Sequence, residues 1–300
     1  MFNKEKPVTV NVNKEKCTKC GICFTSCDNY LEKDEQGYPK AKNLEDSLLG
    51  CIQCGECMMR CPSQAIEIVG EDIDNSHLVD YPHNIADFNQ LNSLFLKRRS
   101  CREYEKQEVS NEDIEKILSA ASTAAVGLPP SEVKVTVIKG YQQVNVFREL
   151  ILDELRHMQK IMTPFALSLM KNFMSANKYK ELKDFVVPLV AATLDKDKEG
   201  IDLLLYDAPA VVIFNGIKDF GDENSIIAST HATIAAEALG LGTCFIGSIP
   251  YIINNSDKLR RKYGVEKGEK ASIAFILGVP KAVKRYKTFK RNFREIKIIE

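Results

Sequence analysis

CTKCGICFTSC at residues 17–27 and CIQCGECMMRCP at residues 51–62 place eight of the ten cysteines of this 300-residue chain in two copies of one spacing. Each copy reads Cys, two residues, Cys, two residues, Cys, three residues, Cys, a run that brings thiolates to four-iron, four-sulfide cubes. A cube needs four thiolates at its iron corners, and three cysteines at two-residue intervals wrap a tight loop around three of them. The fourth has to come from elsewhere. Gly21 and Gly55, each directly after the second cysteine of its run, suit the close approach and unusual dihedrals of such a loop. Zinc is the main competing reading, because paired Cys-x-x-Cys units also ligate zinc. It fits less well, since two pairs joined by a longer linker would supply zinc's four ligands without a third and fourth cysteine in each run. A disulfide framework fits less well again.

The doubled run resembles the two-cluster bacterial ferredoxins. That resemblance implies crossed ligation, in which the last cysteine of each run serves the cube of the other. One [4Fe-4S] cluster then takes Cys17, Cys20, Cys23 and Cys61, and the second takes Cys51, Cys54, Cys57 and Cys27. Pro62 follows the second run as expected, whereas Asp28 stands where the first run would carry proline. This departure touches the local turn and leaves the ligands intact.

Three hundred residues exceed what a ferredoxin needs and predict about two domains. An apolar content of 44% with 27% charged residues is ordinary for a soluble globular chain. The opening MFNKEKPVTV has no apolar core of a secretory signal, and no later run approaches the roughly 18 apolar residues that span a bilayer. A cytoplasmic protein without a membrane partner is expected, in a low-oxygen cell, and reduced thiols belong in that compartment. The zero net charge hides an asymmetry: residues 1–80 carry 9 Lys and Arg against 14 Asp and Glu, and residues 81–300 carry 32 against 27. An acidic head and a basic body favour electrostatic docking of the head on the body or on a basic partner, although solvated surface accounts for the same charges equally well.

Residues 8–12 alternate as a strand before the first run, and Ala65–Val69 supplies a matching strand after the second. The charged stretch from Tyr30 to Gly50 reads as an exposed insertion. The expected domains are 1–75, holding the cysteines, a polar linker 76–92, and 93–300. In the last, Ser110 opens a helix on Ile114, Ile117, Leu118 and Ala121. A strand over Val133–Val137 follows, then mainly helix over 143–183 with a break at Pro164. Pro209–Phe214 reads as a buried strand, Ile226–Leu239 as an alanine-lined helix, and Cys244–Ile246 and Ile273–Leu277 as further strands. No Gly-x-Gly-x-x-Gly and no Gly-Lys-Ser/Thr loop follows any of these strands.

Four segments point in order to a flavin. Lys97-Arg98-Arg99-Ser100-Cys101-Arg102 gathers cations and a hydroxyl, as a phosphate and a ring edge require, although such a cluster alone more often reads as solvated surface. Gly127-Leu128-Pro129-Pro130-Ser131, then AAEALGLGTCFIG at 235–247, then LGVPK at 277–281 complete the set. Over residues 93–295 the pattern resembles the FMN-dependent nitroreductase family, and with the cysteine runs the whole is similar to a ferredoxin and nitroreductase fusion. The resemblance implies an α+β fold, a mixed sheet flanked by helices, with a small ferredoxin-like domain ahead of it. It implies a homodimer with FMN at the interface. By matching position it places Arg98 on the FMN phosphate, Ser100 and Arg102 toward the ribityl chain and ring, and Pro130 and Ser131 along the isoalloxazine. Arg99 belongs to the same cationic segment. Ile246 and Gly247 supply backbone near flavin N5, and Arg291 with Lys287 in the basic tail reaches the phosphate. Glu132 stands where the family often has asparagine.

The implied function is passage of electrons from a low-potential donor, ferredoxin or NAD(P)H, through two [4Fe-4S] clusters to FMN and on to a small acceptor such as a nitro compound, quinone or enone. A non-enzymatic electron carrier or redox sensor, and a flavin reductase, are the alternatives. No catalytic side chain is assigned. Cys101 and Cys244 read as small apolar fillers, and the four histidines show no ligand spacing. The eight cations of Lys281–Lys297 are better explained by a flavin phosphate and solvation than by nucleic acid.

Overall fold

Two units, each with its own core, share the chain: Met1–Ile85 with Val126–Glu132, and Ala86–Ala125 with Val133–Glu300. The computed structural model describes residues 8–70, 73–127, 132–217, 222–282 and 284–299.

The first unit runs β1 (Thr9–Val12), α1 (Ile22–Ser26), β2 (Leu31–Lys33), β3 (Pro39–Ala41), α2 (Glu56–Met59) and β4 (Ile66–Val69). β1 and β4 pair antiparallel, Thr9 opposite Val69 and Val12 opposite Ile66, which ties the ends of the cysteine-bearing stretch together. The segment read as an exposed insertion is instead partly core. Tyr30 and Leu31 are only 5% and 3% exposed and pack with Met58, Ile66, Ile68 and Ile73. β2 and β3 form a hairpin whose charges, including the cross-strand Glu32–Lys40 pair at 3.0 Å, cover its outer side. Its turn is held by Asp34, whose carboxylate accepts from the N–H groups of Gln36 and Tyr38 at 2.9 and 2.7 Å.

The second unit starts earlier than the polar composition suggested. α3 (Phe88–Lys97) begins inside the stretch assigned to the linker, because Asp87 caps it and Gln90 reciprocates. Across the start of that stretch, Asn75–His77 forms a short 3-10 turn capped by Asp74. α4 (Asn111–Ser122) buries Ile114, Ile117 and Ala121, and the Ser110 hydroxyl accepts from the Asp113 N–H at 3.0 Å. Ser110→Ala should therefore lower stability by about 1 kcal/mol, read as a lower urea midpoint with an unchanged slope.

β5 (Lys134–Lys139), α5 (Tyr141–Ile161), α6 (Pro164–Met170), α7 (Ala176–Glu181) and α8 (Val187–Lys198) follow. Pro164 breaks the helical stretch as expected and stands in the first turn of α6, where its missing N–H costs nothing. Then come β6 (Ala210–Ile217), α9 (Asp222–Ala238), β7 (Gly242–Phe245), α10 (Ser248–Asn254), α11 (Asp257–Lys262) and β8 (Glu269–Gly278). The sheet order is β5-β6-β8-β7, every named pair antiparallel, and a parallel bridge from Ser100 to Thr243 makes it mixed. β6 is central, which is why AVVIFNG is buried throughout. Val211, Ile213, Ala274 and Ile276 face Phe147, Ile151 and Leu152 of α5 in the main core. Strand alternation sends Val212, Phe214 and Phe275 to the opposite side. α9 packs on β6, β8 and α4, its buried side lined by the small residues Ala228, Ser229, Ala232, Thr233 and Ala236.

Candidate functional site

In the first unit the two cysteine runs fold as near copies. Gly21 and Gly55 take left-handed conformations, φ 84° and 72°, immediately before α1 and α2. Lys19 and Gln53, each just before the second cysteine of its run, match as well, at φ 54° and 55°. These turns fold the first three thiols of each run back on themselves, as the spacing requires. Cys17, Cys20, Cys23 and Cys61 line a single cavity, with Phe24 and Pro39 among its other walls. Burial and the negative charge of Cys20 and Cys17 push the Cys23 thiol up. On the other side, burial raises Cys51, with Cys27 and Cys54 adding to it. Burial and then the charges of Cys27, Cys51 and Cys54 push Cys57 up to about 12. Cys27 thus stands among the thiols of the second run, and Cys61 among those of the first.

All eight cysteines are free. Among the described residues no three His, Cys, Asp or Glu side chains close on one point at single-ion distance. One zinc ion would draw its sulfurs to about 3.8 Å of one another, from a Zn–S bond of about 2.3 Å in a tetrahedron. A four-iron cube places its thiolates around a wider body, so sets of four soft donors lining a cavity fit a cube. Cys61 adds a feature of its own: burial pushes its thiol up, but the Ala65 N–H at 3.2 Å and the Ser63 hydroxyl outweigh that and leave it below the ordinary value.

In the second unit, residues 98–104 lie beside β7. Ser100 bridges Thr243, the Cys101 N–H donates to the Thr243 carbonyl at 2.8 Å, and Tyr104 bridges Pro280. Two glycines permit this approach. A Cβ on Gly242 would meet Cys101 Cβ and Sγ at 2.7 Å, and one on Gly278 would meet the Tyr104 ring and Pro209 at 2.7 Å. Gly242 therefore sets how closely the cationic segment lies against β7. Arg102 holds its guanidinium over the Tyr206 ring, 5.7 Å from the centroid. Lys97 is engaged by Glu237 at 3.4 Å, whereas the described residues place no carboxylate at ion-pair distance from Arg98, Arg99, Lys287 or Arg291. Ile246 directly follows β7, its N–H on the Ala274 carbonyl at 2.9 Å. Beside Gly247 an added Cβ would meet open space. In the basic tail, the Thr288 hydroxyl donates to the Leu96 carbonyl at 2.7 Å, bringing the backbone next to Lys287 to the end of α3, two residues from Arg98. Arg291 is exposed. Pro130 and Ser131 lie outside the described residues, and Glu132 is half-buried.

Residues 96–279, more than half of the chain, match the model of the Nitroreductase family. The chain belongs to the nitroreductase family. Residues 5–66 of this nitroreductase-family protein match a 4Fe-4S dicluster domain. A ferredoxin from Thermococcus litoralis is 35% identical over 60 residues, 20% of this chain and 95% of the relative. Subunit I 2 of the NADH-quinone oxidoreductase of Geobacter metallireducens is 27% identical over 95 residues, 30% of this chain. The match spans 64% of that subunit's length. Among solved structures, an FMN-bound nitroreductase from Bacteroides fragilis aligns with TM-score 0.52 at 18% identity, covering 71% of this chain and all of the other. An FMN-dependent nitroreductase from Clostridium difficile gives 0.50 at 18%, with the same coverage. The α+β fold is that of the family.

Three residues of the nitroreductase unit escaped the sequence reading. Thr243 lay within the quoted 235–247 motif, and its bridge to Ser100 is a long-range fact. Tyr206, at φ 55°, and Thr288 carry no local signal. Cys244 is 3% exposed and Cys101 packs against the same core, and burial with their neighbouring charges raises the Tyr104 hydroxyl. Among the described residues no helix is long and apolar enough to cross a membrane.

Proposed function

We propose that this nitroreductase-family protein is an iron–sulfur flavoprotein oxidoreductase. In this reading it accepts electrons from a low-potential donor, ferredoxin or NAD(P)H, and delivers them to a small organic acceptor: a nitro compound, quinone or enone. The observation that carries it is the presence of two four-thiol sets in the same chain as a nitroreductase-family unit. Residues 1–75 hold two [4Fe-4S] clusters, on Cys17, Cys20, Cys23 and Cys61 and on Cys51, Cys54, Cys57 and Cys27. Residues 93–300, together with the α3 turns before them, hold FMN. FMN, when bound, supplies both one-electron exchange with clusters and two-electron chemistry toward an organic acceptor. The chain's own residues bind and orient it. Arg98, Arg99, Lys287 and Arg291 provide cations for the phosphate, and Ser100 and Arg102 reach the ribityl chain and ring. Pro130 and Ser131 lie along the isoalloxazine, and Ile246 and Gly247 offer backbone beside N5.

A second copy of the chain completes the flavin site in this reading. Phe88, Leu91 and Phe95 form an exposed stripe at helical spacing on α3, and Phe245, Phe289 and Phe293 are exposed around the same segments. Apolar surface of this kind marks an interface. FMN retained in full by a monomer would count against it.

Anaerobic spectra with iron and flavin analysis, followed by turnover with nitroaromatics, quinones and enones, test the whole reading. About eight irons and one FMN per chain are expected, with substrate-dependent flavin reoxidation. Full cofactor content without that reoxidation would make the protein an electron carrier or sensor instead. Arg98→Ala should weaken FMN binding by about 10-fold to 100-fold, the loss of one charge-assisted hydrogen bond. Flavin release followed by fluorescence measures it, and unchanged affinity would remove Arg98 from the phosphate site.

A further inference from the structure

The two cysteine runs are near copies in backbone, and their surroundings differ in charge. The left-handed residue before the second cysteine is Lys19 in the first run and Gln53 in the second. Lys19 is among the residues lining the cavity of Cys17, Cys20, Cys23 and Cys61. Its ammonium is held by the β2–β3 hairpin: it donates to the Gln36 carbonyl at 2.8 Å and lies 4.2 Å from the centroid of the Tyr38 ring. Lys14 approaches the same ring at 5.0 Å and donates to the Gln36 side chain at 3.1 Å. The hairpin thus engages two cations, of which Lys19 belongs to the cavity lining, and supplies Pro39 to the cavity wall.

Hydrogen bonding at the last cysteine of each run differs in the same sense, whereas an earlier sulfur in each cage, Cys23 in one and Cys51 in the other, also accepts from backbone N–H groups. The Ala65 N–H, four residues after Cys61, donates to Cys61 Sγ at 3.2 Å, and the Ser63 hydroxyl lies 3.7 Å from that sulfur. At the matching place in the first run, the Leu31 N–H, four residues after Cys27, donates to the Cys27 carbonyl at 3.1 Å. Net charge and hydrogen bonds to sulfur are among the factors that set an iron–sulfur potential. A cation held near a cube stabilises the more negative, reduced form, and so does an N–H directed at a ligand sulfur.

We propose that Lys19, clamped by Tyr38 and Gln36, is a potential-setting residue that makes the cage of Cys17, Cys20, Cys23 and Cys61 the more readily reduced of the two. This rests on the two-cluster reading above. It assigns the hairpin inserted between the runs a purpose: an electron shared between the two cages resides mainly in the one the hairpin covers. Because Lys19 is exposed at the surface, salt should weaken its contribution.

The test is a dithionite titration of the cluster-loaded full chain, followed by electron paramagnetic resonance, after iron and sulfide analysis. Two separate midpoints are expected. Cys54→Ala should remove the lower one and leave the higher, which assigns each midpoint to its cage. Lys19→Met should move the higher midpoint down and leave the lower in place, Lys19→Arg should preserve both, and Tyr38→Leu, which frees the clamp, should act as a weaker Lys19→Met. Lys40→Met, on the same hairpin but already paired with Glu32, should shift neither. Equal shifts of both midpoints, a shift of the lower one alone, or no shift in Lys19→Met with both cubes present would overturn the role of Lys19. Fewer than two cubes in the unaltered protein would instead overturn the reading beneath it.

Discussion

Replacing Cys51 and Cys54 together with alanine is expected to abolish reduction of the flavin by a ferredoxin-class donor while leaving FMN content at about one per chain. Both thiols belong to the second run, and Cys51 takes part in a charge-coupled set with Cys27, Cys54 and Cys57. No other free thiol is available to replace them, since Cys101 and Cys244 lie in the other unit against its core. The cations and backbone groups offered to FMN at Arg98–Arg102, Ile246–Gly247, Lys287 and Arg291 belong to the nitroreductase unit, so flavin retention should be indifferent to the change. In the proposed path every electron from the donor enters through the clusters, and the loss should therefore be close to complete at any practical donor concentration. Stopped-flow measurement of flavin bleaching reads it. Bleaching as fast as in the intact protein would remove the clusters from the path. If NADH reduces the variant and the intact protein equally well, the nicotinamide enters at the flavin directly.

Cys27→Ala and Cys61→Ala should each remove one cube, and different ones, halving the iron from about eight to about four per chain. The cavity that contains Cys61 is lined by Cys17, Cys20 and Cys23, while Cys27 is coupled to Cys51 and Cys57. Adding Cys54→Ala to Cys27→Ala should cost no more iron, because both act on one cage. Adding Cys20→Ala should remove the remainder. This non-additive pattern separates shared from independent sites, and the reverse pattern would mean that each run keeps its own fourth cysteine. Thiols raised by burial and by one another must lose protons to bind iron, so reconstitution of the Cys57 cage should slow as pH falls.

The cysteine spacing was legible because a cube is wrapped by a short loop: the first three ligands of each run and the left-handed glycine beside them are set within a few residues, whereas the pairing of β1 with β4 joins residues more than fifty apart. The helix at Asn111–Ser122, the buried strand at Ala210–Ile217 and the alanine-lined helix at Asp222–Ala238 were legible for a similar reason, since capping and apolar period are local. Charge misled the reading of residues 30–50 and 76–92. In the first case the polar residues cover the outer side of a hairpin whose Tyr30 and Leu31 are core, and in the second a polar composition hid a helix capped by Asp87 and Gln90. By itself, then, the sequence determined the donor chemistry, the order of the cationic and glycine-bearing motifs and the family they point to. Only tertiary packing decided that Arg98–Arg102, Ile246–Gly247 and the tail at Thr288 gather around β7 and α3. Those meetings depend on contacts between residues far apart in the chain, the closest of them possible only where Gly242 and Gly278 leave room that any side chain would fill.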